Sequence, residues 1–261
     1  MNVEPTTELA ESVERTAIAP FAPVIGSAVQ LPTPYYDEDG ITLYHGDARE
    51  LLPLLKADVM ITDPPYGVNL GKHDGAKEKR PGYLVKQSYT EYDDSPENYR
   101  AQIVPVLEAG IKMHDRAAIF GVVPNLWMLP APSALGGVYL PAGCGRMPWG
   151  FQNLAPVLFY GKAPDLHLGS KATTIRSSDA AEKNGHPCPK PIKWMTWLID
   201  LCSRPGETVL DPFAGSGTTL RAAKDLGRRA IGIEVNEAYC RIAVSQLAQG
   251  VLWRQNDQAE T

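Results

Sequence analysis

An α/β fold, with a mostly parallel central sheet and helices on both faces, is predicted for this 261-residue chain. Three observations predict it. Short apolar runs of strand composition alternate with segments of helical periodicity over residues 41–123 and 191–249. A glycine-rich turn, Asp211-Pro-Phe-Ala-Gly-Ser-Gly-Thr-Thr219, stands directly between one such strand and one such helix. A second turn, Asp63-Pro-Pro-Tyr66, closes another apolar run, at the strand end where open parallel sheets bind ligands.

The elements follow in order. Residues 1–35, rich in Pro, Ala and Val without sustained periodicity, read as a poorly ordered arm. Residues 41–44 form a strand, 48–55 a short helix, and 59–62 a strand apolar enough to be buried on both faces. A helix over 96–113 starts with Ser95 as cap and Pro96 in its first turn. Residues 117–123 are a third strand. Between 124 and 185 the pattern dissolves into Pro- and Gly-dense chain with one strand at 156–160. Irregular chain of that length usually carries function or is mobile. An amphipathic helix over 191–202 carries Ile192, Met195, Ile199 and Cys202 on one stripe. A strand at 208–210, a helix at 218–226, a strand at 230–233 and a helix at 237–249 complete the pattern, and 254–261 is a polar tail.

Composition narrows the classes. No run of eighteen apolar residues exists, which excludes a membrane-spanning helix, and the N-terminus lacks the basic and apolar regions of a secretory signal. The four cysteines show neither a C-x-x-C pair nor zinc-ligand spacing, so a reduced, cytoplasmic protein without a metal is expected. The net charge is −5, but residues 1–40 hold seven acids against Arg15, a net of −6, which leaves the rest of the chain at +1. A basic run at Lys72, Lys77, Lys79, Arg80 and Lys86 is diluted by Asp74 and Glu78. Taken alone it reads as a solvated loop, so total charge does not decide the partner.

Three motifs carry chemistry. In Asp211–Thr219, Gly215 and Gly217 let the backbone turn sharply and admit a ligand to the main chain. The helix start behind them, with the hydroxyls of Ser216, Thr218 and Thr219, favours a carboxylate. Seventeen residues after Gly217, at the end of the next strand, Glu234 is placed to accept from ribose hydroxyls. Turn, helix and strand ending in Glu together indicate an adenosine-containing cofactor. In Asp63-Pro64-Pro65-Tyr66 the prolines remove two donors and stiffen the turn. A carboxylate, free carbonyls and a flat ring suit a planar substrate bearing an amine, although a plain Pro-Pro turn would be the better reading of these residues alone. In His186-Pro-Cys-Pro-Lys-Pro191, His186 and Lys190 could contact an anion such as the cofactor's carboxylate, and a rigid linker explains them equally well.

Together these motifs resemble the amino-methyltransferases of DNA in the permuted arrangement called the beta class. The order is Asp63–Tyr66, an irregular region, His186–Pro191, Asp211–Thr219, then Glu234, and Tyr44-His-Gly-Asp-Ala48 looks like the Gly-Asp element that opens such proteins. The likeness spans residues 41–247. It implies a Rossmann-like methyltransferase fold over 36–253, with a short target-recognition insertion at about 124–185. It also implies S-adenosylmethionine as cofactor, held by Asp47, Asp211, Phe213, Ala214, Gly215, Ser216, Gly217, Thr218, Thr219 and Glu234. Asp47 would lie near the adenine, and Lys190 and His186 near the methionine end. Cys188 departs from the small polar residue more usual there.

By the same resemblance, Asp63, Pro64, Pro65 and Tyr66 are catalytic. Asp63 and a carbonyl of the Pro-Pro turn would accept both N–H bonds of an exocyclic amine, and Tyr66 would stack on a base flipped out of double-stranded DNA. The family's preference for Asp rather than Ser at the first position points to N6 of adenine before N4 of cytosine. Residues 71–86 and 124–185 are the expected DNA contacts, with Lys72, Lys77, Lys79 and Arg80 on phosphates. A homodimer and a restriction endonuclease partner are compatible with this resemblance. Methylation of RNA or a protein amide, and an inactive DNA-binding module, are the other readings. A nicotinamide oxidoreductase would leave Asp63–Tyr66 without a role.

Overall fold

The computed structural model describes residues 30–69, 92–143, 145–147, 149–164, 171–181 and 189–249. Eleven strands and six helices occur among them: β1 (Tyr36–Glu38), β2 (Ile41–His45), α1 (Ala48–Leu51), β3 (Val59–Thr62), α2 (Pro96–Asn98), α3 (Val104–Met113), β4 (Ala117–Phe120), β5 (Ala134–Tyr139), β6 (Gly145–Met147), β7 (Gly150–Gln152), β8 (Leu154–Tyr160), β9 (Thr174–Arg176), α4 (Ile192–Cys202), β10 (Thr208–Asp211), α5 (Thr218–Asp225), β11 (Arg229–Glu234) and α6 (Glu237–Leu247). Nine strands form one sheet in the order β1-β2-β11-β10-β3-β4-β8-β5-β9. Strands β2, β11, β10, β3 and β4 run parallel, which is the predicted α/β architecture.

Period-two alternation sorts the core onto two faces. Val59 and Ile61 of β3 face α4, α5 and α6 in a layer with Leu198, Ile199, Leu220 and Ala243, all fully buried. Met60, between them, faces the other way and packs with Leu107 and Ile103 beside α3. A strand with helices on both sides has no polar face to show. This is why β3 and β4 are buried at every position.

Two segments differ most from the sequence reading, and the strand expected over 117–123 ends at Phe120, ahead of a 3-10 turn over Val123–Met128. The helix expected over 96–113 is interrupted by a π-turn at Tyr99–Ile103, where the Val104 N–H reaches back to the Tyr99 carbonyl. Pro105 supplies the reason: it has no N–H for the turn before it, and its ring crowds that turn, so the helix widens. Ser95 caps the start as expected, accepting from the Asn98 N–H at 3.2 Å. The second difference is the segment 124–185, where only one strand was legible. It contributes β5, β8 and β9 to the main sheet, and Val138 and Val157 there are fully buried. The glycines and prolines that masked this pattern sit inside the ladder, where Gly137 pairs with Pro156. On α4 the predicted stripe is buried at Met195, Ile199 and Cys202, but Ile192, in the first turn, is exposed.

Among the described residues no helix is long and apolar enough to cross a membrane, and no cluster of His, Cys, Asp or Glu could hold a metal.

Candidate active site

Strands β3 and β10 are neighbours at the centre of the sheet. From β10 the chain crosses through α5 to β11 on one side, and from β3 through α3 to β4 on the other. The crevice at such a reversal is where open α/β sheets bind ligands. A cleft of about 980 Å³ opens there. It brings Asp63, Pro64, Pro65 and Tyr66 together with Phe213, Ala214, Gly215, Ser216, Thr218, Glu234, Asp47 and Lys190. Two motifs separated by almost 150 residues thus share one wall.

Asp211 joins them and faces inward. Its carboxylate accepts from the Thr62 hydroxyl at 2.6 Å, the Thr219 hydroxyl at 2.5 Å and the Phe213 N–H at 3.0 Å. Burial nevertheless pushes its carboxyl up to about 6. Asp211, Gly217 and Thr219, expected at the cofactor, are outside the described lining of the cleft and adjoin it through Pro212, Ser216 and Thr218. They shape the turn. Gly217 is the N-cap of α5 at φ 85°, a conformation that suits glycine, and a Cβ there would meet the Ala243 Cβ at 2.8 Å.

Glu234 ends β11 at the cleft, with Oε2 accepting from the Gly215 N–H and Oε1 from the Asn236 N–H, both at 2.8 Å. Burial outweighs these bonds and pushes its carboxyl up to about 7. Asp47 caps α1, accepting from the Arg49 N–H at 2.8 Å, and its carboxylate is paired with the Arg49 guanidinium. The bonds from Arg49 hold the Asp47 carboxyl below the usual range.

The Asp63–Tyr66 turn is clamped from outside. Asp94, buried, accepts from the Gly67 N–H at 2.7 Å and the Val68 N–H at 3.3 Å, and the Asn125 side-chain amide donates to the Tyr66 carbonyl. Gly67 has φ 63°, and a Cβ there would lie 2.4 Å from the Tyr99 Cβ, so the turn lies tightly over the π-turn. Asp94 and Asn125 were missed because their partners are 27 and 59 residues away. Asp94 sits beside a recognisable helix cap, but Asn125 carries no local signal. The Tyr66 hydroxyl donates to Asp63 Oδ1, and Lys190 Nζ lies 2.6 Å from Asp63 Oδ2. Lys190, expected only near the cofactor's methionine end, therefore holds the proposed catalytic carboxylate. His186, Cys188, Lys72, Lys77, Lys79 and Arg80 lie outside the described residues.

A parallel sheet whose crevice joins a glycine turn, a buried acidic strand end and a carboxylate on a Pro-Pro turn suits a transferase that brings an adenosine cofactor to an amine. The comparisons specify the class. The DNA methylase family, of the N6/N4 type, matches residues 123–245. The Type II methyltransferase M.ScaI of Streptomyces caespitosus is 27% identical over 270 residues, covering 83% of this chain and 84% of that protein. The M1.HpyAVI–SAM complex superposes with a TM-score of 0.54 at 24% identity, over 80% of this chain and 100% of the other. PvuII DNA methyltransferase (cytosine-N4-specific) gives 0.57 at 15% identity, over 82% and 88%. Both structural likenesses concern the fold. These comparisons support a DNA amino-methyltransferase of the N6-adenine/N4-cytosine type with S-adenosylmethionine as its cofactor.

The residues present fit that cofactor. A buried carboxylate at the end of β11 can accept ribose hydroxyls on its remaining lone pairs. The Phe213 ring and Ile233 give the cleft apolar walls, and the start of α5 presents Thr218 to it.

Proposed function

We propose that this chain methylates N6 of an adenine flipped out of double-stranded DNA. The observation that carries the reading is Asp63 at the end of β3, in one cleft with Phe213, Gly215 and Glu234. When bound, S-adenosylmethionine supplies a methyl group on a cationic sulfur that departs with the bonding electrons. The exocyclic amine is a weak nucleophile because its lone pair is conjugated with the ring. Asp63 and a carbonyl of the Pro-Pro turn accept its two N–H bonds, which returns electron density to nitrogen and fixes its direction of approach. The surplus proton leaves through Asp63 or to water. Tyr66 gives the base a stacking face, and Asp94 and Asn125 keep the turn rigid while it does so. Adenine is preferred to cytosine on the identity of residue 63, Asp rather than Ser.

DNA approaches the C-terminal edge of the sheet. The connection between β5 and β8 leaves and returns at that edge, where Tyr139 pairs with Leu154, and it carries the β6–β7 hairpin. Trp149 at the hairpin tip is fully exposed, Phe151 is 72% exposed, and Trp127, in the 3-10 turn after β4, is 84% exposed. Large aromatic rings in solvent on the active-site side suit stacking on bases. Lys72, Lys77, Lys79 and Arg80, outside the described residues, stand in the sequence between Tyr66 and Tyr92, which both line the cleft, and their positive charge supports phosphate contacts. Aimed instead at RNA or a protein amide, this reading would lose the support of the DNA methylase family match.

Incubation with unmethylated genomic DNA and S-adenosylmethionine, followed by nucleoside mass spectrometry, tests it. N6-methyladenine is expected. N4-methylcytosine would overturn the choice of base and keep the chemistry, and the absence of either would overturn the function.

A further inference from the structure

Both oxygens of the Asp63 carboxylate are engaged by the chain itself. The Tyr66 hydroxyl donates to Oδ1, and the Lys190 ammonium sits 2.6 Å from Oδ2. A target amine can reach Asp63 only by taking the place of a present donor or sharing its oxygen. The two donors are anchored differently. Tyr66 belongs to the same turn as Asp63, and its ring is the surface the base would stack upon. Lys190 comes from the opposite wall, 127 residues away, and its side chain is only 12% exposed. Its backbone is fixed between Pro189 and Pro191, and Pro191 is the N-cap of α4, whose Trp194 N–H donates to the Pro191 carbonyl at 3.0 Å. Trp194 is itself buried and stacked on Phe120, with ring centroids 6.3 Å apart. The Lys190 ammonium lies 5.0 Å from the Tyr66 ring centroid and 5.6 Å from that of Phe120, a setting that favours a cation at this spot.

We propose that Lys190 is a positioning residue for methyl transfer: it stays on Asp63 Oδ2 and holds Oδ1 toward the target amine, while the Tyr66 hydroxyl gives way. The role rests on the function proposed above. The amine then donates to Oδ1 in place of the tyrosine. When nitrogen gains the methyl carbon it sheds one proton, which passes to Oδ1 and on to water. Lys190 keeps all its protons throughout, so its contribution is orientation and charge. The arrangement differs from the expectation that this lysine binds the cofactor's carboxylate, and the two assignments predict opposite results.

The test uses full-length Lys190→Met and Lys190→Arg proteins, with thermal melting to establish folding. Calorimetry with S-adenosylhomocysteine reads cofactor-site affinity without DNA, and steady-state methylation at saturating S-adenosylmethionine gives kcat and the KM for DNA. The expected result for Lys190→Met is a Kd within about threefold of wild type and a kcat lower by about 10²–10³-fold, the usual scale for removing one oriented charge partner at a reacting centre. Lys190→Arg, which keeps the charge, should recover part of that loss. Combining Lys190→Met with Asp63→Asn should slow turnover no further than Asp63→Asn alone, because both act through one carboxylate. A Kd raised about 30-fold with near-normal kcat at saturation would overturn the proposal in favour of a cofactor ligand. Equal loss in the Met and Arg proteins together with a lowered melting point would overturn it in favour of a structural role. If wild type methylates cytosine, the choice of adenine fails while the Lys190 comparison is read on cytosine. If wild type methylates no base, the function fails and this role with it.

Discussion

Strands β2, β11, β10, β3 and β4 and the extension β8, β5 and β9 share one sheet, yet their active-site ends present different things. The parallel half ends in turns held by buried polar bonds: Asp211 joins Thr62 to Thr219, Glu234 holds the Gly215 N–H, and Asp94 holds Gly67. The extension ends in a two-stranded hairpin that carries Trp149 and Phe151 into solvent. Reacting groups need placement to within fractions of an ångström, and buried networks supply it. A surface that must meet different bases needs rings and reach more than rigidity. Under the proposed function the contrast divides the work: the parallel half is expected to set turnover, and the extension the hold on DNA.

The largest effect should therefore fall on Asp63. Asp63→Ala removes the acceptor for the amine, and turnover should drop by about 10³-fold or more. S-adenosylhomocysteine affinity, read by calorimetry, should stay within a few-fold of wild type, because the residues expected to hold the cofactor lie in the turn between β10 and α5, at the end of β11 and at the start of α1. Since the change leaves Lys190 facing an empty position, Asp63→Asn is the companion that preserves shape. Turnover close to wild type in both proteins would break the division at its strongest point.

Glu234 gives the next effect, visible without substrate. Its carboxyl stands at about 7 in the folded chain because of burial, while an unfolded chain loses that proton in the ordinary carboxylate range. Between those two points the folded state holds a proton that the unfolded state has lost. Rising pH therefore favours unfolding across that window, and the penalty is complete above about pH 7. Its size is on the order of 3 kcal/mol. Asp211, pushed up to about 6, acts with the same sign at lower pH. Thermal melting from pH 5 to pH 8 should show wild type losing more stability than Glu234→Gln. Parallel curves would mean that Glu234 is not held in its protonated form. Ribose hydroxyls donating to this carboxylate favour its ionised form, so cofactor binding should release protons near pH 7, measurable by calorimetry in buffers of different ionisation enthalpy.

The same contrast explains what could be read in advance. The parallel half was legible because each strand is a short apolar run closed by a distinctive turn, as at 59–62 before Asp63 and 208–210 before the glycine turn. Asp63, Tyr66, Phe213, Gly215 and Glu234, assigned to one site by the family resemblance of their motifs, do line one cleft. The extension was not legible, because Gly136, Gly137 and Pro156 break its alternation while the ladder still forms. Bonds of long sequence separation also escaped: Thr62 to Asp211 spans 149 residues and Lys190 to Asp63 spans 127. Asp211 reads as a ligand contact in the sequence and acts as a buried link in the structure, since only packing decides which way a carboxylate turns.

That link is testable as stability. Thr62→Val keeps the shape of β3 but removes one donor to a fully buried carboxylate, at a cost of about 1–3 kcal/mol in denaturant unfolding. Turnover per folded molecule should also fall, because the link sets Asp63 against the glycine turn. An unchanged midpoint would show that the Thr219 hydroxyl and Phe213 N–H suffice.

The smallest effect, and the one that most sharpens the contrast, belongs to Trp149. Its side chain is fully exposed, so Trp149→Ala should leave the melting point unchanged to within a degree or two. If the ring stacks on a base, its loss should cost about 1–3 kcal/mol of DNA binding. The loss should appear in KM for DNA, or in Kd by fluorescence anisotropy, while kcat at saturating DNA and cofactor affinity hold. Residue 149 is bound to the reacting centre only through a hairpin on the far strands of the sheet, so its contribution can be uniform binding and no more. A fall in kcat instead, with KM unchanged, would mean that the ring acts after the complex forms, as a group filling the space a flipped base leaves. The extension would then belong to the catalytic cycle, and the division between the two ends of the sheet would lie at DNA contact rather than between the strands.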